Sequence, residues 1–523
     1  MALIPIQGVS DSWLDPGTYV ELNFAQGPAS VSAGERAICL VMPMTAAGSW
    51  TANAEYYPDG EADVIAGAGA GSMTHRAYRA AVYADSQAKI YCRPYAATSV
   101  GSPVAATFAV TVTVAATNPT ASGRCYVEIG GPGLNGCVAS YDFDTTDTAT
   151  TIAAALKLAV NSATHLPLTS DNAAGVLTLT AKIAGASQGT ATTIGIRART
   201  YCDSGCGVTI SASGNLGGTV PGADGTTTEA ANLLAALATM TGVRRYWIAS
   251  TLIDSTSHGH LQTHLTTVSA PRPGFRSQGV VCSCGTQANA ETAAVARNYE
   301  RLTLVHQTGT NHDAAHLVGI AVGTLCKAYE ADATANLNGI PLPGIDAAYD
   351  TADWPDGEDR NDALTDGVTL IGSNEGGAYL VKHVTTRSKT AAGGTVPDYR
   401  AWSGHKISGA DHFADTVLLR HQQAFNGFKL IADPTDSKGA FNPNATMPRK
   451  TTCPSWVKRW LYGIFDEYGP DGLNHLSDIT AAKTALRVVR DPNKLSRTES
   501  AIKINVIELY DQATFRIDEV SAG

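Results

Sequence analysis

Two histidine spacings stand out among the residues that could do chemistry. In His258-Gly-His260-Leu-Gln-Thr-His264, His260 and His264 are four apart, so one helix face can offer both imidazoles to a metal. No third or fourth ligand is evident, and no Glu stands at metalloprotease spacing, so a structural role is favoured. His312-Asp-Ala-Ala-His316 repeats the spacing, but Asn311 and Asp313 read as a helix start. Cys282 or Cys284 with His306 would make a thiol–imidazole pair, yet no spacing brings them together. Gly67-Ala-Gly-Ala-Gly-Ser72 precedes a helix and could cradle a phosphate. It lacks the Gly-Lys-Ser/Thr of a P-loop and does not directly follow a strand, so a flexible loop is the reading. Residues 353–362 are acidic enough to attract calcium, but their spacing departs from the EF-hand loop. They read as a solvated acidic loop, whose functional version is a salt-bridging surface to a basic neighbour. No catalytic residue, cofactor or metal is assigned.

Composition narrows the class. The 523 residues exceed one hydrophobic core, so two to four domains are expected. Only 16% of residues are charged, which suits a subunit largely covered by neighbours. Net charge is −10 and no basic run appears, so nucleic-acid contact is not expected. No stretch reaches the roughly 18 apolar residues that span a bilayer, and no membrane insertion is expected. Met-Ala-Leu-Ile-Pro-Ile-Gln at the start is not followed by a basic-then-apolar segment. The chain is therefore expected to be made in a cytoplasm and to stay soluble there. The ten cysteines then read as mostly free thiols, with Cys202 and Cys206 the pair most open to oxidation.

Hydrophobic periodicity supplies the elements. Arg36–Met44 reads as a buried strand, the segment up to Ser72 as a loop, Thr74–Ala84 as a helix and Ala88–Cys92 as a strand. From 96 to 225 the chain is rich in Thr, Gly, Ala and Val. Strands are expected at Thr107–Ala116, Arg124–Ile129, Leu177–Ile183, Thr193–Arg197 and Gly207–Ile210, with one helix capped by Asp147. Strand–helix alternation then resumes through Thr228–Met240, Arg245–Ser250, His258–Val268, Gly279–Ser283, Asn289–Arg297, Leu302–His306 and His312–Ala328, which argues for a largely parallel sheet. After a Pro/Gly connector come two strands, Val368–Ile371 and Ala378–Val384, and long helices over about 410–432 and Ser455–Glu467.

The fold class expected is multidomain α/β plus α+β. An N-terminal arm (1–30) leads to an α/β core (31–95 and 226–335), interrupted by a mostly β outer domain (96–225). A C-terminal α+β domain (336–500) and a C-terminal strand arm (501–523) follow. Both ends alternate: Tyr19, Val20, Glu21, Leu22 and Phe24 follow Asp15-Pro16-Gly17-Thr18 with Val20, Leu22 and Phe24 on one face, and Ile502, Ile504 and Val506 alternate before Leu509, with Phe515 and Ile517 on one side of a further extended run. A terminal strand must pair within its own sheet or with a neighbour's.

The order of these segments resembles the contractile tail sheath proteins of Mu-like bacteriophages. It rests on Pro16-Gly17-Thr18-Tyr19-Val20-Glu21, the connector Ile340-Pro341-Leu342-Pro343-Gly344-Ile345, Asp366-Gly367-Val368, the turn Gly372–Gly377, and the strand ending in Thr385-Thr386. The resemblance implies a non-enzymatic subunit. It would polymerise with itself as six-fold rings stacked helically around a tail tube, and meet tube, baseplate and tail terminator proteins. The array would contract to drive the tube through a host envelope. These end residues would link neighbours by strand addition. Location would be the virion tail, after assembly in the host cytoplasm. An α/β enzyme with a β insertion, and another self-assembling tubular protein, remain the alternatives.

Overall fold

The computed structural model describes residues 36–97, 102–130, 133–185, 198–212, 222–272, 274–283, 285–310 and 312–509. The described residues open on a parallel sheet. Strand β1 (Ile38–Leu40) is wholly buried. Ile38 and Leu40 join one hydrophobic cluster while Cys39 and Val41 join another, as a strand covered on both faces requires. The expected loop before Ser72 contains helix α1 (Glu61–Ala68) instead. Gly60 and Gly69 flank it and hide a helix whose first turn carries Glu61 and Asp63, favourable at the positive end of the dipole. Helix α2 (Met73–Ala84) starts at Ser72, whose side chain accepts from the His75 N–H. Strand β2 (Ile90–Cys92) lies parallel to β1.

A body with its own core follows: β3 (Thr107–Val114), β4 (Gly123–Ile129), β5 (Cys137–Phe143), α3 (Ala149–Ser162), β6 (Leu168–Ala173), β7 (Val176–Ala181), β8 (Ala198–Cys202) and β9 (Val208–Ala212). Two antiparallel sheets, ordered β8-β4-β5 and β9-β3-β7-β6, share a cluster that includes Phe108, Val127, Leu156 and Leu177. Strands β5 and β6 were not expected. Val138 of β5 faces out and Ala139 in, and β6 carries a single large apolar residue, Leu168. The α3 cap is Thr148, reciprocated by Thr151, rather than Asp147, which accepts from the Asp144 N–H at 3.0 Å. The expected strand at Thr193–Arg197 lies outside the described residues. Entry and exit of this body touch, because Val104 and Ala223 exchange backbone hydrogen bonds of 2.9 and 3.0 Å.

The sheet then resumes with α4 (Glu229–Ala238), β10 (Trp247–Ala249), α5 (Ser255–Ser269), β11 (Gln278–Ser283), α6 (Gln287–Arg297), β12 (Leu302–His306) and α7 (Ala314–Ala331). It continues past residue 336 through β13 (Ile340–Pro341), α8 (Gly357–Thr365), β14 (Val368–Asn374) and β15 (Gly377–Leu380). The eight strands are ordered β13-β15-β14-β12-β11-β10-β1-β2. All pairs from β14 to β2 are parallel, and β15 and β13 are antiparallel. Residues 340–380, expected to stand with the C-terminal segment, thus extend the central sheet. The crossing of α2 and α7 is close. A Cβ at Gly319 would meet the Ala77 oxygen at 2.6 Å, and one at Gly323 the Ala81 oxygen at 2.8 Å.

The last body holds α9 (Gly404–Phe425), β16 (Lys429–Leu430), β17 (Thr451–Thr452), α10 (Pro454–Tyr468), α11 (Ile479–Ala485), β18 (Arg487–Arg490) and β19 (Thr498–Ala501). Phe413, Val417, Leu461, Phe465 and Ile504 are among its core residues. Helix α9 begins and ends earlier than expected, because Gly427 adopts φ +74 just beyond it and turns the chain. No helix among the described residues is long and apolar enough to cross a membrane.

Candidate functional site

The residues singled out for chemistry are spread through the fold and serve packing. His258 and His264 are buried in α5, and burial lowers each pKa to about 4. His260 is half-buried. None of the three belongs to a group of three or more mutually close ligand atoms among the described residues. His312 and His316 stack at 4.3 Å, but as struts. His312 Nε2 accepts from the Asp346 N–H at 2.9 Å. His316 Nδ1 lies 2.7 Å from Asn135 Nδ2, and its Nε2 lies 2.5 Å from the Gly344 oxygen.

The glycine run is filled by the protein itself. A Cβ at Gly67 would fall 1.9 Å from the Trp50 ring, and one at Gly71 would fall 2.1 Å from the Leu166 oxygen. Lys182 donates to the Ala70 oxygen at 3.1 Å and the Thr164 oxygen at 2.7 Å, closing the joint to the inserted body. Arg76 reinforces it. It grips Asp313 through two bonds of 2.7 Å and donates to the Asn135 and His165 oxygens at 3.1 and 3.0 Å.

Cys282 and His306 stand on adjacent strands, with Cys282 opposite Val305 and Ser283 opposite His306. The His306 ring is held by the Ser283 oxygen at 3.0 Å and Thr308 at 3.3 Å. Cys284 lies outside the described residues. In the acidic loop, Asp356 and Asp359 spend their oxygens on a reciprocal capping box at the start of α8. The Cys202 and Cys206 thiols are in hydrogen-bond contact at 3.9 Å with no disulfide between them, and burial pushes the Cys202 thiol up to about 12. One group not anticipated, Asp85, Cys326 and Glu330, has mutually close ligand atoms. Its thiol donates to the Arg36 oxygen at 3.0 Å.

Of the end residues, Tyr19, Val20, Glu21, Leu22, Phe24, Phe515 and Ile517 lie outside the described residues. Ile502, Ile504, Val506 and Leu509 lie within them. Residues 502–509 form no strand, only a bridge between Leu476 and Val506. Ile504 and Val506 are 5% and 1% exposed, packed inside the chain's own last body. Ser477 N–H donates to the Asn505 oxygen and Ile507 N–H to the His475 oxygen, each at 3.0 Å. Residues 504–507 are therefore held by this body rather than free of it.

What the sequence reading missed is the seam that joins the sheet to α9. An arginine stands just ahead of four adjacent parallel strands: Arg36, Arg244, Arg276 and Arg301. Arg36 donates to Ser408 Oγ at 2.6 Å, and Arg301 holds Asp411 with two bonds of 2.9 Å. Arg276 and Arg244 reach the two oxygens of Asp415 at 2.7 and 2.5 Å. The signal was present as Arg before each strand and as Asp411 and Asp415, four apart on one helix face.

The chain matches no family model and no curated protein. Solved structures do align with it. The sheath tail protein from Desulfitobacterium hafniense aligns at 14% identity over 94% of this chain and 100% of that one, with a TM-score of 0.44. The sheath tail protein from Listeria innocua aligns at 13% identity over 93% and 95%, with a TM-score of 0.46. The contracted helical sheath of the anti-feeding prophage aligns at 10% identity over 98% and 99%, with a TM-score of 0.44.

Proposed function

We propose that the chain is a structural, non-enzymatic subunit of a contractile tail sheath, in a Mu-like bacteriophage or a related injection particle. It assembles in the host cytoplasm into six-fold rings stacked helically around a tail tube, between baseplate and tail terminator, and becomes part of the virion tail. In this reading the parallel sheet is the core, the body from 96 to 225 is a peripheral insertion, and the body after 384 carries inter-subunit contacts. The arms are residues before 31, including Tyr19, Val20, Glu21, Leu22 and Phe24, and residues after 509, including Phe515 and Ile517. They add strands to neighbours' sheets.

One observation supports the reading most. Asp366-Gly367-Val368 and Thr385-Thr386, two separate parts of the sequence resemblance, meet in space. Gly367 has φ +83, and a Cβ there would stand 2.9 Å from both the Thr385 and Thr386 oxygens. Thr386 N–H donates to the Leu302 oxygen at 2.8 Å and Thr385 N–H to the Trp402 oxygen at 2.7 Å. The motif pair thus fastens the start of β12 to the approach of α9. A subunit that moves as a rigid body during contraction needs stiffness at that joint.

Negative-stain electron microscopy of the purified protein tests this. Hollow tubes or stacked six-fold rings are expected. A monodisperse monomer or dimer, with no polymer at high concentration or with tube protein added, would overturn the reading in favour of an α/β enzyme.

A further inference from the structure

The chain is acidic overall, yet residues 429–459 hold six Lys or Arg against two carboxylates. Five of these cations, Lys429, Lys438, Arg449, Lys450 and Arg459, are exposed. The segment is one connected surface. Strand β16 pairs with β17, the Lys429 N–H donates to the Lys450 oxygen at 2.8 Å, and Asp433 accepts from Ser455 at 2.8 and 2.9 Å. The Arg459 guanidinium lies over the Phe441 ring at 5.6 Å. Trp456 on this segment and Phe428 just ahead of it are 40% and 41% exposed. Exposed aromatics among cations that have no ion-pair partner among the described residues are the composition of a binding face.

Charge complementarity identifies the occupant. Residues 346–375 carry nine carboxylates and one Arg. Six of them, Asp350, Asp356, Glu358, Asp359, Asp362 and Glu375, are exposed, and none pairs with a cation among the described residues. Residues 346–359 and Glu375 of the acidic face lie at the end of the parallel sheet opposite the basic face; α8 then runs back toward the strand starts, where the Trp402 indole N–H donates to the Leu364 oxygen at 2.7 Å. The acidic segment is fixed where strands finish: Gln307, just after β12, donates to the Asp346 oxygen at 2.8 Å, and the Ala348 N–H donates to Ser373 Oγ at 2.9 Å. The basic face belongs to the body that α9 docks where strands begin, through Arg36, Arg276 and Arg301. Faces at opposite ends of a rigid body can meet only between copies. Such a contact is heterologous and propagates.

We infer that the 429–459 face binds the 346–375 face of a second copy, head to tail. This rests on the polymeric reading above and adds the contact that sets its direction. Opposite charges on the two faces would steer assembly, and like charges placed in such a contact oppose it strongly.

The test uses two charge-reversed full-length chains, one with Lys438→Glu, Lys450→Glu and Arg459→Glu, the other with Asp350→Lys, Glu358→Lys and Glu375→Lys. Each alone should need at least about tenfold more protein than wild type to polymerise. An equimolar mixture should polymerise near the wild-type concentration, because alternating copies restore opposite charges at every contact. Circular dichroism and thermal unfolding check that each variant is folded. If one is not, the corresponding Gln or Asn variants should raise the critical concentration less but in the same direction. Wild-type polymerisation by both reversed variants would overturn the inference and leave the sheath reading standing. Failure of only the Lys/Arg-reversed chain, unrescued by the mixture, would assign the basic face to a different acidic partner and overturn the second-copy contact. Absence of polymer from the wild-type chain would remove the sheath reading itself.

Discussion

Arg301 holds Asp411 in a two-pronged ion pair of 2.9 Å on each arm, with the side chains 5% and 0% exposed. Arg301 sits one residue ahead of β12 and Asp411 lies on α9, so the pair spans 110 residues of sequence. Tyr246 adds a third bond to the same carboxylate at 3.2 Å. A buried pair contributes little net stability over an apolar substitute, but losing one partner strands the other charge in low dielectric. Asp411→Ala is therefore expected to destabilise the subunit by about 3–5 kcal/mol. Denaturant unfolding of the isolated subunit measures this, and a loss below about 1 kcal/mol would show that the seam is solvated.

Acid should weaken the same seam. Burial lowers His383 and His412 to about 3 and His405 to about 4. His383 is wedged between Thr303 at 2.9 Å and Tyr329 at 2.7 Å. An unfolded imidazole titrates near about 6.5. With the folded values below that, the stabilising contribution is complete above about pH 6.5 and is lost as pH falls toward 4 and then 3. The denaturation midpoint should be flat from about pH 8 to 7 and fall steadily from about 6.5 to 4.5, above the main carboxylate range. His383→Gln should make that descent shallower. An unchanged slope would mean that this imidazole charges freely in the folded protein.

Packing between α2 and α7 gives a sharper structural test. Gly319 and Gly323 face Ala77, Ala80, Ala81 and Ala84, and a Cβ at Gly319 would lie 2.7 Å from the Ala80 Cβ. Backbone oxygen and methyl leave no flexible atom to yield. Gly319→Val should cost about 1–3 kcal/mol or more through overpacking. Thermal unfolding would reveal it, and a midpoint equal to wild type would show that the helices slide apart without penalty.

These results show which features the sequence makes legible. Long runs with clear periods, such as Leu302–His306 or the helix after Asp313, are read correctly because burial and capping both act locally. Strands β5 and β6 are hidden because small or polar residues serve as their inward or edge positions. Residues 340–380 look like part of a later segment because the connector is rich in Pro and Gly. Only hydrogen bonding to β12, a non-local fact, puts them in the central sheet. The histidine and glycine motifs look chemical because spacing along a chain carries no information about what fills the space beside it: Asn135, Gly344, Trp50 and Leu166 do. Conversely, the Arg301–Asp411 seam shows only as scattered single residues, an Arg before each strand and an Asp pair on one helix face, and nothing local says which meets which because the partners stand 110 residues apart.

The inserted body offers a third kind of test. Its entry and exit are already joined by the Val104–Ala223 hydrogen bonds, so residues 105–222 can be replaced by a short glycine linker without moving the sheet. The cost falls on the joint: Arg76 keeps Asp313 but loses the Asn135 and His165 oxygens, His316 loses Asn135, the Ala70 oxygen loses Lys182, and the central cluster loses Ile183. The shortened chain should fold, melt a few degrees lower, and still polymerise. A folded deletion variant that never forms polymer would show that the insertion belongs to the assembly contact.

The arms can be separated from the body by where the chain is cut. Removing residues 1–26 or 510–523 deletes only segments that the reading assigns to neighbours, so each truncated subunit should unfold at nearly the wild-type denaturant concentration yet form no long tubes. Each lost strand would remove several backbone hydrogen bonds per contact, each worth about 0.5–1.5 kcal/mol net. A cut at 501 should behave differently. It also removes Ile504 and Val506, both buried in the last body, and exposes the groove beside Leu476 and Gly409. Loss of two core side chains should cost about 4 kcal/mol or more, enough to unfold that body before assembly is ever tested. Sedimentation and electron microscopy on the three truncations then distinguish linkage from folding. Normal tubes after the cut at 510 would show that the C-terminal strand is not a link. A stable subunit after the cut at 501 would show that residues 502–509 are held only by the assembly.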